Sequence, residues 1–159
     1  MDLDAQVQEL IDNAPQDGTT PMLVGAIAPV LKQIAMQLRH LQYYVVQTLD
    51  KGWAVTLLSH ETQPNSQKQV IYAFPTLKDA SNGPYSIKDP EMLVLPVPVT
   101  HILFQMAAMD TVDSLIFFEV PGNVLTGTEI RRSDLQSLIQ AQLRQTNAPP
   151  APNIPSNLA

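Results

Sequence analysis

The side chains able to do chemistry in this chain are few and poorly grouped. Its histidines are His40, His60 and His101. None stands four residues from another, or from a carboxylate in a metal-binding pattern, so all three read as structural or surface groups. There is no cysteine, which removes thiolate ligands, disulfides and cysteine nucleophiles together. No serine sits in a Gly-x-Ser-x-Gly elbow. The glycines form neither a Gly-x-Gly-x-x-Gly nor a Walker pattern. The expectation is therefore no catalytic residue, no metal and no cofactor.

One stretch gathers polar groups: Glu119, Asn123, Glu129, Arg131, Arg132 and Asp134. They follow an apolar run, Ser114–Val120, that reads as a strand. In open sheets with crossover helices, ligands bind beyond the carboxyl ends of strands. Arg131 and Arg132 would then anchor a carboxylate or phosphate. Glu119 and Glu129 could in principle form an acid–base pair there. The competing reading is a solvated turn whose charges merely cap the last helix.

The elements that must position these groups are read from periodicity. Leu3, Val7, Leu10, Ile11 and Ala14 make one apolar stripe of a helix, ended by Pro15 and Gly18. A second helix starts with Thr20 as N-cap and Pro21 at its first position. Pro29 should kink or restart it. Its stretch Pro21–Leu31 is apolar on every side, so a buried core helix and a subunit interface both remain open. Met22, Val24 and Ile27 are the interface candidates, with a two-fold homodimer favoured.

Leu41–Leu49 and Trp53–Ser59 read as a hairpin turning at Asp50-Lys51-Gly52. A third strand is expected at Gln69–Phe74, then a capped turn at Thr76–Asp79. Met92–Val97, Val99–Met109 and Ser114–Val120 read as strand, helix and strand, which calls for a parallel pair with a crossover. Ser114–Val120 is apolar on both faces and should be central. Ser133 and Gln136 form a capping box for a last helix ending at Gln145. Beyond Asn147, prolines 149, 150, 152 and 155 point to a disordered tail. The expected architecture is one α+β domain over residues 1–146. It has two N-terminal helices, a mixed sheet of about five strands with one βαβ crossover, and a C-terminal helix.

The chain has 159 residues, enough for one domain with a real core. Charged residues make up 15%, well below the usual ~25%, and fifteen glutamines fill part of the gap. The net charge of −6 is concentrated in the first twenty residues, which hold five acids and no base. No basic stripe marks a nucleic-acid surface. No apolar run reaches the ~20 residues that span a bilayer, and the N-terminus lacks the form of a secretory signal. A cytoplasmic setting is the expectation.

Ile71-Tyr72-Ala73-Phe74-Pro75-Thr76-Leu77-Lys78-Asp79-Ala80 resembles the strand-plus-turn segment, FTS-x-x-x-A, of SseB-like domains. Asp113–Asn123 followed by Leu135–Leu143 resembles the same family's ending of apolar strand, Asn-Pro-Gly turn and final helix. The resemblance spans roughly residues 41–145. It departs at Glu119-Val120-Pro121-Gly122, and the two N-terminal helices have no counterpart in it. The glutamine-rich, low-charge texture is also similar to conserved cyanobacterial proteins of unknown role. Both resemblances imply a non-enzymatic protein-interaction or regulatory module whose partner is a protein or a second copy. The alternative is a small-ligand-binding protein or minor enzyme using the region Glu119–Asp134.

Overall fold

The computed structural model describes residues 2–48, 52–60, 63–82, 92–109 and 111–146. The proline-rich tail, the turn at Asp50-Lys51 and most of the loop after Asn82 lie outside these. The chain belongs to the α+β class, with helices at both ends. Among the described residues it forms five helices and six strands.

Helix α1, Leu3–Asn13, opens on Asp2, whose carboxylate accepts from the Ala5 N–H at 2.8 Å. Gly18, at φ 86°, turns the chain after it. Helix α2, Thr20–Ala35, begins one residue earlier than expected, with Thr19 at the N-cap and no cap bond from that side chain. Asp17 does the capping. It accepts from the N–H groups of Thr19 (2.9 Å) and Thr20 (2.8 Å), and from the Thr20 hydroxyl (2.7 Å). These bonds hold its carboxyl well below the usual range. Pro29 does not stop α2. Pro29 and Gly25 are both exposed, so the Gly25 carbonyl that loses its helical donor is on the water side.

Strand β1, Gln42–Gln47, meets the residues that follow it only at its end, where the Thr48 N–H donates to the Gly52 carbonyl and the Ala54 N–H to the Val46 carbonyl. It pairs antiparallel with β4, Leu93–Pro98, in register from Gln42↔Pro98 to Gln47↔Leu93. The expected hairpin survives only around a Gln47↔Trp53 bridge. Strand β2, Thr56–His60, turns instead onto β3, Gln63–Ala73.

Pro96 and Pro98 explain why β4 is not the first strand of a parallel pair. They are two residues apart, so their nitrogens point to one side of the strand, and neither has an N–H. That side cannot carry a ladder, and β4 is confined to an edge. The pairing agrees: Tyr44, opposite Pro96, sends its N–H away from β4 to the Phe74 carbonyl at 2.7 Å.

Among the described residues the single parallel pair is β3 with β5, Ser114–Phe118. The crossover between them contains helix α3, Leu77–Asn82, then β4, then helix α4, Val99–Ala108. A sixth strand, β6, Gly127–Arg131, which periodicity reading did not anticipate, returns antiparallel to β5. The main sheet runs β2-β3-β5-β6, so β5 is central as expected. Helix α5, Arg132–Thr146, follows β6 without a break, which places Ser133 inside its first turn rather than at the cap.

Helices α2, α4 and α5 cover one face of the main sheet. There Ile71, Leu115 and Phe117 pack against Leu31, Leu103, Met106 and Leu135, all buried. The other face holds Val70, Tyr72, Phe74 and Phe118 under Ala80 of α3. Phe118 stacks on Tyr72 and Phe74, with ring centres 5.5 and 5.3 Å apart. No helix among the described residues is long and apolar enough to cross a membrane.

Candidate functional site

The polar stretch that the sequence offers as one site is divided in two. The β5–β6 register pairs Ser114 with Arg131 and Phe118 with Gly127. Glu119 and Asn123 therefore stand at the far end of β5, and Arg131 and Arg132 return to its beginning. The two ends are on the order of 13 Å apart, four residues of strand. Glu129 stands opposite Ile116 and takes the Ser114 hydroxyl, whereas Glu119 reaches Tyr43 on the Phe117 face, so the two carboxylates face opposite sides of the sheet and cannot form an acid–base pair. The missed strand β6 is the physical cause.

At the far end, Glu119 serves the fold. Its carboxylate accepts from the Tyr43 hydroxyl and from the Arg39 N–H, the latter at 3.2 Å. Its carbonyl lies 2.7 Å from His40 Nε2. Tyr43 is fully buried and meets Phe117 edge-to-face at 4.8 Å. Burial, and then the neighbouring Glu119 carboxylate, push the Tyr43 phenol above its usual range. Pro121 and Gly122, at φ 82°, make the turn after β5, closed by the Asn123 N–H to the Val120 carbonyl at 3.0 Å. Asp79 accepts from the Gly122 N–H, and Asn123 accepts from the Leu125 N–H. Glu119 and Asn123 thus act as a clamp and a turn.

At the near end an open cleft of about 420 Å³ lies between β3, β5, β6 and α5. Its wall includes Gln67, Lys68, Asp113, Arg131, Arg132 and Gln136. Lys68 and Ser114 both donate to Glu129, the hydroxyl at 2.6 Å. The Lys68 bond, then the Ser114 bond, hold the Glu129 carboxyl below the usual range, with Arg131 adding a smaller effect. A carboxylate so stabilised is a poor base. Ser114 is fully buried at the floor of the cleft, and its hydroxyl is engaged by Glu129. Asp113 accepts from the Gln69 N–H at 2.8 Å, which joins the start of β5 to β3. The cleft is rich in hydrogen-bond donors and presents no nucleophile with a partner base.

The proposed interface residues also separate. Val24 is fully buried and Ile27 is 3% exposed. Both are covered by the chain itself, while Met22 is 58% exposed. Helix α1 lies against α2, tied by Lys32 to Asp4 at 2.9 Å, so Val24 and Ile27 are covered within the chain while Met22 and Leu23 are left at the surface.

Gln67 and Lys68 join the cleft from β3, distant in sequence from Arg131 and Arg132, while Gln136 lies close by but reads as a helix-capping residue. A local signal for β6 did exist, in the alternation of Thr128 and Ile130 with Glu129 and Arg131. Among the described residues no group of three or more His, Asp or Glu side chains could hold a metal ion. Comparison with family models, curated proteins and solved structures returns no match.

Proposed function

We propose that this chain is a non-catalytic protein-interaction module that offers the β2–β3 hairpin to another protein strand. The observation that carries the reading is the state of β2. It is an end strand of the main sheet, and among the described residues no strand pairs with its outer side. Val55, Leu57 and Leu58 are 41%, 51% and 36% exposed. Leu57 and Leu58 are consecutive, so they point to opposite faces of the strand. The hairpin also projects, since β5 pairs with β3 only from Val70 to Ala73.

Exposed edges are normally blunted by charge, proline or a covering element. Residues 52–60 contain no charged side chain other than His60 and no proline. An apolar, uncharged edge is the form that accepts an added strand. A second copy of this chain, paired β2 to β2, would satisfy it with two-fold symmetry. The resemblance of residues 41–145 to SseB-like domains supports the same class of function. A cytoplasmic location belongs to this proposal, and the cysteine-free sequence fits a reducing compartment.

The test is the pair of substitutions Leu57→Lys and Leu58→Lys in one chain. Both side chains are exposed, so the fold should lose no more than about 0.5 kcal/mol for each. Affinity capture from native lysate should lose the chains held by the wild type. Retention of the same chains by the double variant would contradict the proposal.

A further inference from the structure

We infer that the cleft between β3, β6 and α5 binds a small organic phosphate. This goes beyond the interaction reading and does not depend on it, because the cleft and the β2 edge share no residue.

The chain is acidic, with fifteen acids against nine bases. Yet three of those nine, Lys68, Arg131 and Arg132, line this one cavity. Two carboxylates stand close by, and each is engaged within the fold. Glu129 takes bonds from Lys68 and Ser114, and Asp113 takes the Gln69 N–H. The wall itself holds three cations and one carboxylate, Asp113, in a chain of net −6, and Glu129 beside it is bonded to Lys68.

Lys68 comes from β3, Arg131 from β6, and Arg132 from the start of α5. Cations that border one cleft from β3 and from the β6–α5 junction suit an anion with several oxygens, and a phosphate offers more of them than a carboxylate. The volume selects the rest of the ligand. About 420 Å³ is in the range of small-molecule sites and far exceeds a lone phosphate group. Gln67, Ser133 and Gln136 complete the wall and offer uncharged donors and acceptors to a polar body. A sugar phosphate or nucleoside monophosphate has this form. Recognition here would use side chains, in keeping with the absence of a glycine-rich phosphate loop from the sequence.

The experiment is an amide chemical-shift titration of the full chain in low-salt buffer near pH 7. The probes are inorganic phosphate, adenosine 5′-monophosphate and glucose 6-phosphate, with adenosine, glucose and sodium chloride at matched ionic strength as controls. At least one organic phosphate should move the amides of Ser114 and of residues 131–136 saturably, with Kd about 1 mM or tighter. Inorganic phosphate should bind the same amides more weakly, and the controls should leave them unmoved. Arg131→Gln should weaken binding about tenfold or more. Gln136→Glu, which adds a repelling charge while keeping every cation, should do the same. Shifts reproduced by sodium chloride, no saturable shift from any probe, or equal affinity in both folded variants would overturn the site. Saturation by inorganic phosphate with no gain from either organic phosphate would overturn the organic ligand.

Discussion

Gln6 and Tyr43 show how much of this fold rests on single polar side chains inside it. Gln6 is 1% exposed. Its amide donates to the Leu41 carbonyl at 2.8 Å and accepts from the Thr100 N–H and hydroxyl at 3.1 and 2.8 Å. Pro98, at the N-cap of α4, supplies no capping side chain, so Gln6 on α1 caps α4 from outside. Gln6→Ala would strand the Thr100 donors in the interior, and urea denaturation should show a loss of about 2–3 kcal/mol. A loss below about 0.5 kcal/mol would mean that water or repacking replaces the amide. Tyr43 gives a pH signature. Its phenol is raised above the ordinary tyrosine value of 10.0, so the fold favours the neutral form. That contribution is complete below the unfolded value and is lost as pH rises through the folded one. Tyr43→Phe should cost about 1–2 kcal/mol at neutral pH. It should also flatten the fall in Tm from about pH 9 upward, and an unchanged alkaline limb would exclude the Tyr43–Glu119 bond as its source. Neither residue was legible in the sequence as a structural pin. Gln6 looks like a surface glutamine, and its partner Thr100 is 94 positions away. Glu119 looked like a site residue because nothing local announces Tyr43.

Strands and helices were read well where the signal is local, and poorly where pairing decides. The apolar faces of Ser114–Phe118 place it at the centre of the sheet, and the structure has it there with Phe117 fully buried. Phe117→Ala should cost about 3–5 kcal/mol. A loss under about 1 kcal/mol in urea would show that the β3-β5-β6 core yields easily around it. The partner of Leu93–Pro98 was misread, although Pro96 and Pro98 carried the answer. A strand with one side stripped of N–H groups is an edge strand, whatever helix follows it. Strand β6 is hard to see in the sequence because Glu129 and Arg131 are charged, although their alternation with Thr128 and Ile130 is that of a strand. Without β6 the candidate site reads as whole in the sequence, and with it the site is divided in the structure. Arg131 and Arg132 keep a place in a cleft, while Glu119 and Asn123 are used by the fold.

Taken as a whole, the molecule covers one face of the main sheet with α2, α4 and α5, backed by α1, and among the described residues nothing pairs with the outer side of β2. The net charge does not guard that side, because five of the fifteen acids fall in residues 1–20 and residues 52–60 carry none. The apolar half of α2, which in the sequence competed for the role of interface, is instead shielded by α1 and the core, with Met22 and Leu23 left at the surface. The β2 edge is thus where an interaction module would do its work. Site-specific photo-crosslinking in living cells addresses this directly, with the photoreactive residue at Leu57 and, as a control, at exposed Gln140 on α5. A discrete crosslinked band of another chain, or of a second copy, should form from position 57 and not from position 140. Equal labelling at the two positions, or none at position 57, would contradict a docking edge at β2.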